Sequence, residues 1–170
     1  MPAAAGRGKE YHLTPAGRGL EDVLDSMGRW AVEWLFDEMR PHDVPPVTLM
    51  WWMHRRVDPD RFPAERTVIE FRHTAPVPQT IWIVLDHRLA SVCLQHPRIE
   101  IDLFTSASTA AFADVFQGYQ RWVEAVDAGR IEIAGPPRLA AALPSWFLWS
   151  PWAEATRQRA DRAGVRTAVP

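Results

Sequence analysis

Apolar positions along the chain switch spacing from three and four residues to two and back, and each switch marks an element. Leu20, Val23, Leu24, Met27, Trp30, Ala31, Trp34 and Leu35 recur at three- and four-residue steps, which puts them on one face of a helix. Thr14-Pro15 offers an N-cap with proline at the first helical position, and Pro41 stops the helix after about Arg40. A strand-like piece, Glu10 to Leu13, precedes it, and Met1 to Lys9 is small, glycine-containing and aperiodic, so a poorly ordered start is expected. A second helix is predicted from Val47 to about Val57, with Asp58-Pro59 ending it.

The period then shortens. Thr67 to Thr74 alternates, Ile69 and Phe71 against Glu70 and Arg72, as a half-buried strand does. Thr80 to Leu85 is apolar on both faces and reads as a central strand; Ser91 to Gln95 and Ile99 to Thr105 add two more, joined as a meander. Helical spacing returns in Phe112, Val115, Phe116, Tyr119, Trp122, Val123 and Val126, predicting one helix between the cap Ser108 and the stop Gly129. Ile131 to Ile133 makes a short strand, and Pro136-Pro137 opens a helix that ends near Pro144. From Glu154 to Pro170 four arginines face two acidic residues with thin apolar content, and this tail is expected to fray.

Composition narrows the function classes. Of 170 residues, 47% are hydrophobic and 24% charged, as in an ordinary globular protein. A net charge of -2 gives no general attraction to nucleic-acid phosphates. Nine Trp and seven Phe point either to a filled aromatic core or to an aromatic-lined cavity. No apolar run spans a bilayer and no signal-peptide pattern opens the chain, so a cytoplasmic location is expected.

Candidate chemistry is sparse. No nucleophile elbow, phosphate-cradling loop or Cys-His pairing is present, and the six His sit singly without metal-ligand spacing, so neither an enzyme, a cofactor nor a metal is expected. Cys93 reads as a small buried hydrophobe. Glu70, Glu100 and Asp102 read as members of a solvated sheet face, and Arg55, Arg56, Arg61 and Arg66 as a basic stretch balanced by Asp58, Asp60 and Glu65.

Two strings carry family resemblances. YHLTPAGRGL, Tyr11 to Leu20, followed by GRWAVEW, Gly28 to Trp34, resembles the second wing strand and dimerisation helix of HxlR-type winged-helix regulators. GRIEIAGPPRLAAAL, Gly129 to Leu143, preceded in order by IEIDLFTS at Ile99 to Ser106 and the helix Thr109 to Ala128, resembles the sterol carrier protein 2 fold over Val47 to Ser150. The second resemblance implies an α+β fold, a five-stranded mixed sheet covered by helices around a hydrophobic tunnel, here preceded by the long N-terminal helix. Three segments follow: 1–44 as wing remnant and dimerisation helix, 45–153 as the ligand-binding domain, and 154–170 as a flexible tail.

Together the resemblances imply the ligand-sensing and dimerising portion of a bacterial transcription regulator, binding a small apolar or lipid-like effector. A free-standing sterol or lipid carrier is the alternative. Ligand contacts are expected between sheet and helices from Trp52, Met53, Phe71, Trp82, Val84, Phe104, Phe112, Phe116, Leu143 and Phe147. A homodimer is expected through Leu20, Val23, Met27, Trp30 and Trp34, whose stripe the adjoining domain covers only partly. DNA is a partner only if a helix-turn-helix lies upstream, and no membrane partner is expected.

Overall fold

The computed structural model describes residues 11–35 and 44–167. Thr14 starts a helix as its sequence position predicts: its Oγ1 accepts from the Gly17 N–H at 3.1 Å, with Pro15 in the first turn. The expected single helix is nonetheless broken. α1 (Pro15–Arg18) ends at a tight turn, where the Leu20 N–H bonds the Gly17 carbonyl at 3.2 Å, and α2 (Glu21–Trp34) begins after it. Gly17 lies in the last turn before the break and Gly19 caps it, and glycine is a poor helix former. Tyr11 to Leu13 is exposed and forms no strand, so the expected wing strand is absent from its described part; Glu10 and the expected helix end at Arg40 lie outside the described residues.

α3 (Pro46–His54) again carries proline in its first turn. It stops short of Val57, which instead makes an antiparallel bridge to Phe147. Five strands follow as predicted in number: β1 (Thr67–His73), β2 (Gln79–Asp86), β3 (Leu89–Cys93), β4 (Leu103–Ala107) and β5 (Ile131–Ala134). They form one mixed sheet in the order β3-β2-β1-β4-β5, and the architecture is α+β with helices packed on the sheet.

The expected meander holds from β1 through β3 and fails at β4. β1 pairs parallel to β4, while β1–β2, β2–β3 and β4–β5 are antiparallel. The chain must therefore cross from β3 at one edge to β4 beyond β1, and Ile99 to Asp102, expected as strand, belongs to that crossover. Asp102 anchors its end: the carboxylate accepts from the Val68 N–H at 2.8 Å, and the Asp102 N–H donates to the Val68 carbonyl at 3.0 Å.

Register divides the sheet into two faces. Ile69, Phe71, Ile81, Ile83, Leu85, Leu103 and Ile131 lie on one face, buried with Leu49, Met50 and Met53 of α3. Val68, Glu70, Arg72, Trp82, Val84, Phe104 and Ser106 lie on the other. The predicted helix from Ser108 to Gly129 is two helices, α4 (Thr109–Gln117) and α5 (Trp122–Asp127). Ser108 caps the first through the Ala111 N–H at 3.1 Å. Gly118 breaks it at φ +90°, where a Cβ would stand 2.3 Å from the Ala153 carbonyl oxygen. Backbone packing at Ala153 thus requires the glycine that interrupts the helix.

α6 (Pro137–Ala142) runs into a 3-10 turn at Leu143–Trp146. Residues expected to fray form α7 (Ala153–Thr167). Good helix formers and local pairs outweigh its thin apolar content. Arg157 donates to the Glu154 carboxylate at 2.9 Å and Gln158 donates to it at 3.0 Å, and these bonds, Arg157 first, hold the Glu154 carboxyl below its ordinary pKa. Ala153 and Thr156 are buried, and Arg162 pairs with Glu33 of α2 at 2.6 Å.

Candidate ligand-binding groove

The end of α3, the end of α4 and the segment leading into α7 meet around a groove of about 330 Å3, at the small end of ligand sites. Trp52 and Phe116 form its apolar floor, their rings stacked with centroids 6.3 Å apart and planes 23° apart. Phe116 is buried, whereas Trp52 remains 42% exposed and presents a ring to the groove side. The walls are tied by backbone: the Ser150 N–H bonds the Phe116 carbonyl at 2.9 Å, and the Leu148 N–H bonds the Arg56 carbonyl at 2.7 Å. Arg56 also donates through Nε to the Trp149 carbonyl at 2.7 Å.

Polar demand at this groove is incompletely met. Gln117 Oε1 and Trp152 Nε1 are buried without a hydrogen-bond partner, and both residues line it. Such atoms carry a desolvation cost of about 1–3 kcal/mol each. Arg55 and Arg56 stand at the rim and pair with no carboxylate among the described residues. The Trp152 indole also lies against α2, where a Cβ on Gly28 would fall 2.1 Å from Cε2 and 2.2 Å from Nε1. One residue is therefore both groove wall and seat for the N-terminal helix.

Of the ten predicted ligand residues, the structure brings Trp52 and Phe116 together at the groove. Met53, Phe71, Phe112, Leu143 and Phe147 are buried in the packed core, with Phe71 edge-on to Phe112 at 5.5 Å and to Phe147 at 6.5 Å. Trp82, Val84 and Phe104 lie on the opposite sheet face, because side-chain direction alternates along a strand. They cannot share a site with the other seven.

That outer face has its own order. Glu70, expected to be solvated, is 7% exposed and accepts from Trp82 Nε1 at 3.1 Å and from Arg72 at 2.9 Å. The crossover covers Trp82 by setting His96 edge-on to it at 5.3 Å, while Phe104 stays exposed beside a shallow hollow of about 280 Å3. Cys93, expected to be buried, is half-buried.

The dimerisation residues Leu20, Val23, Met27, Trp30 and Trp34 are all exposed on the α2 side of the molecule. Sequence reading missed Arg55, Gln117 and Trp152 as groove residues. Trp152 belonged to a visible aromatic cluster, but only the Gly118 break and the seating of Ala153 bring it to Phe116. His73 was also missed. It is buried beside Phe112, its Nδ1 lies 3.0 Å from Thr109 Oγ1, and burial pushes its pKa down to about 4. No helix among the described residues is long and apolar enough to cross a membrane.

No family model and no curated protein matches this chain. Among solved structures it is similar in fold to part of the stereoselective inverting sec-alkylsulfatase Pisa1 from Pseudomonas sp., at 12% identity and a TM-score of 0.54 over 64% of this chain. The match spans 17% of the sulfatase's length. Fainter matches cover most of two smaller proteins. They are the UbiJ-SCP2 ubiquinone synthesis protein (11% identity, TM-score 0.43, 72% of this chain and 95% of that one) and sterol carrier protein 2 like 2 from Aedes aegypti (16%, 0.45, 58% and 93%). None of these three is a winged-helix regulator.

Proposed function

We propose that this chain binds a small apolar ligand in the groove between α3, α4 and the start of α7, as the sensing and dimerising portion of a cytoplasmic transcription regulator. The observation that carries the ligand reading is the stacked Trp52–Phe116 pair, half open beside buried polar atoms that lack partners. No catalytic step is assigned to it. Dimerisation is supported by α2, which buries Val32 and leaves Val23, Met27, Trp30 and Trp34 exposed, a stripe that a second copy would cover in a two-fold contact. Sensing is supported by Trp152, since any ligand that moves its ring also moves the seat of α2. DNA enters this reading only through a helix-turn-helix upstream of Tyr11.

A thermal-shift panel of apolar probes tests the binding. A probe that occupies the folded groove raises the melting temperature by mass action, about 2.7 kcal/mol at a hundredfold excess over Kd, and Phe116→Ala removes the shift. A panel with no shift ends the reading. Sedimentation with and without a binding probe then separates sensor from carrier: an association constant that changes with ligand supports the sensor, and an unchanged one supports the free-standing carrier.

A further inference from the structure

Most arginines of the described residues meet a carboxylate: Arg66 with Asp86, Arg72 with Glu70 and Arg130 with Asp114, all within 3 Å. Arg55 and Arg56 are neighbours in sequence, flank one groove, and have no such partner. Asp58 nearby is taken by Arg61 at 3.0 Å, and Glu154 by Arg157 at 2.9 Å. Arg56 is held by the Trp149 carbonyl, which fixes its stem at the rim, while Arg55 is exposed. Beside this positive rim lies the part-exposed ring of Trp52, backed by the buried Phe116, and its open side suits a flat ring by stacking.

We infer that the ligand of this groove is a flat aromatic carboxylate, its ring on Trp52, which Phe116 backs, and its anion on Arg55, with Arg56 adding to the positive rim. The inference rests on the ligand reading above and narrows it. The ring accounts for the apolar part because a groove of about 330 Å3 at the surface holds a fused pair of rings but gives a long flexible chain little to wrap. The carboxylate accounts for the rim because a guanidinium binds it through charge-assisted hydrogen bonds, stronger than neutral ones and weakened by salt where exposed.

Isothermal calorimetry on the full chain with three probes tests it: naphthoate, the neutral naphthyl methanol, and decanoate, which keeps the anion without the ring. Naphthoate is expected to bind about tenfold more tightly than either other probe. Arg55→Glu should weaken naphthoate about tenfold and leave naphthyl methanol unchanged, and Trp52→Ala should weaken both ring probes. Raising salt from about 0.05 M to about 0.5 M should weaken naphthoate alone among the ring probes. Equal binding of naphthyl methanol with no effect of Arg55→Glu overturns the anionic part, and decanoate equal to naphthoate overturns the ring; either leaves apolar-ligand binding in the groove standing. Naphthoate binding indifferent to Trp52→Ala places the ligand elsewhere and overturns the assignment. If none of the three probes binds, this inference and the ligand reading fall together.

Discussion

α2 and α4 carry the same kind of apolar stripe and meet opposite fates. The nine residues of α4 bury Ala111, Phe112, Val115 and Phe116, four positions of one face, against the sheet and its neighbours. The fourteen residues of α2 bury Val32, while Val23, Leu24, Met27, Trp30 and Trp34 stay exposed. The cause lies in what each helix faces. α4 crosses the apolar face of the sheet, whereas α2 rests on α7 through Gly28 over Trp152 and the Glu33–Arg162 pair. Helical periodicity thus reveals which face is apolar, and only the tertiary partner decides whether that face stabilises the chain or waits for another molecule.

The largest expected effect is on the α4 side. Phe112→Ala removes a ring that packs on Phe71 and His73, and should cost about 3–5 kcal/mol in urea unfolding with the m-value unchanged. A loss below about 1 kcal/mol would mean that α4 is not the anchor the comparison makes it.

Next comes pH, through His73 under the same helix. Its folded pKa is lowered to about 4 from 6.5 by burial. Between those values the unfolded chain holds the extra proton and the folded chain does not, so stability falls with falling pH. The contribution is complete above pH 6.5, is lost progressively down to about 4, and amounts to about 3 kcal/mol. His73→Gln should flatten this dependence, measured as the difference in unfolding free energy between neutral and mildly acid buffer. An unchanged slope would assign the acid sensitivity to other groups.

Much of this layout was legible in the sequence because it is locally encoded. Alternation placed β1 and the apolar run placed β2 within a residue of their ends, and Thr14 and Ser108 marked helix starts by their capping chemistry. What failed was non-local. The Gly118 break depends on Ala153, thirty-five positions later in the chain, pressing on it. Asp102 ends a crossover because Val68 offers it a backbone N–H, which no local pattern shows. The site list mixed three environments for the same reason: Trp82, Val84 and Phe104 have the composition of groove residues, but sheet register turns them away. Of the predicted aromatics, Trp52 and Phe116 reached the groove, and their partner Trp152 came from a segment whose neighbours depend on α7 forming at all.

A smaller effect is expected where the two helical regions are joined. Gly28→Ala places a methyl carbon within 2.1 Å of the Trp152 ring, so the indole or α2 must move. Overpacking of this kind costs about 1–3 kcal/mol. Amide exchange should rise in α2 and around Trp152 while the strands keep their protection. If exchange instead rises uniformly, α2 is part of the core unit and the contrast with α4 weakens.

The smallest effect on folding should come from the exposed stripe itself. Met27 and Trp30 border a shallow hollow on α2 with Val23, and both are more than half exposed, at 61% and 56%. Replacing both with Glu removes no packed core atom, so each change should alter unfolding free energy by no more than about 0.5 kcal/mol in the monomer. Association is a different matter. Two copies joined stripe to stripe would bury these side chains at the centre of the contact, where aromatic anchors dominate the energetics and a carboxylate would be desolvated without a partner. Sedimentation equilibrium at micromolar concentration should therefore show dimer for the unmodified chain and monomer for Met27→Glu/Trp30→Glu. If the unmodified chain is already monomeric, the exposed face of α2 has some other partner than a second copy, and the dimer reading falls while the difference between α2 and α4 remains.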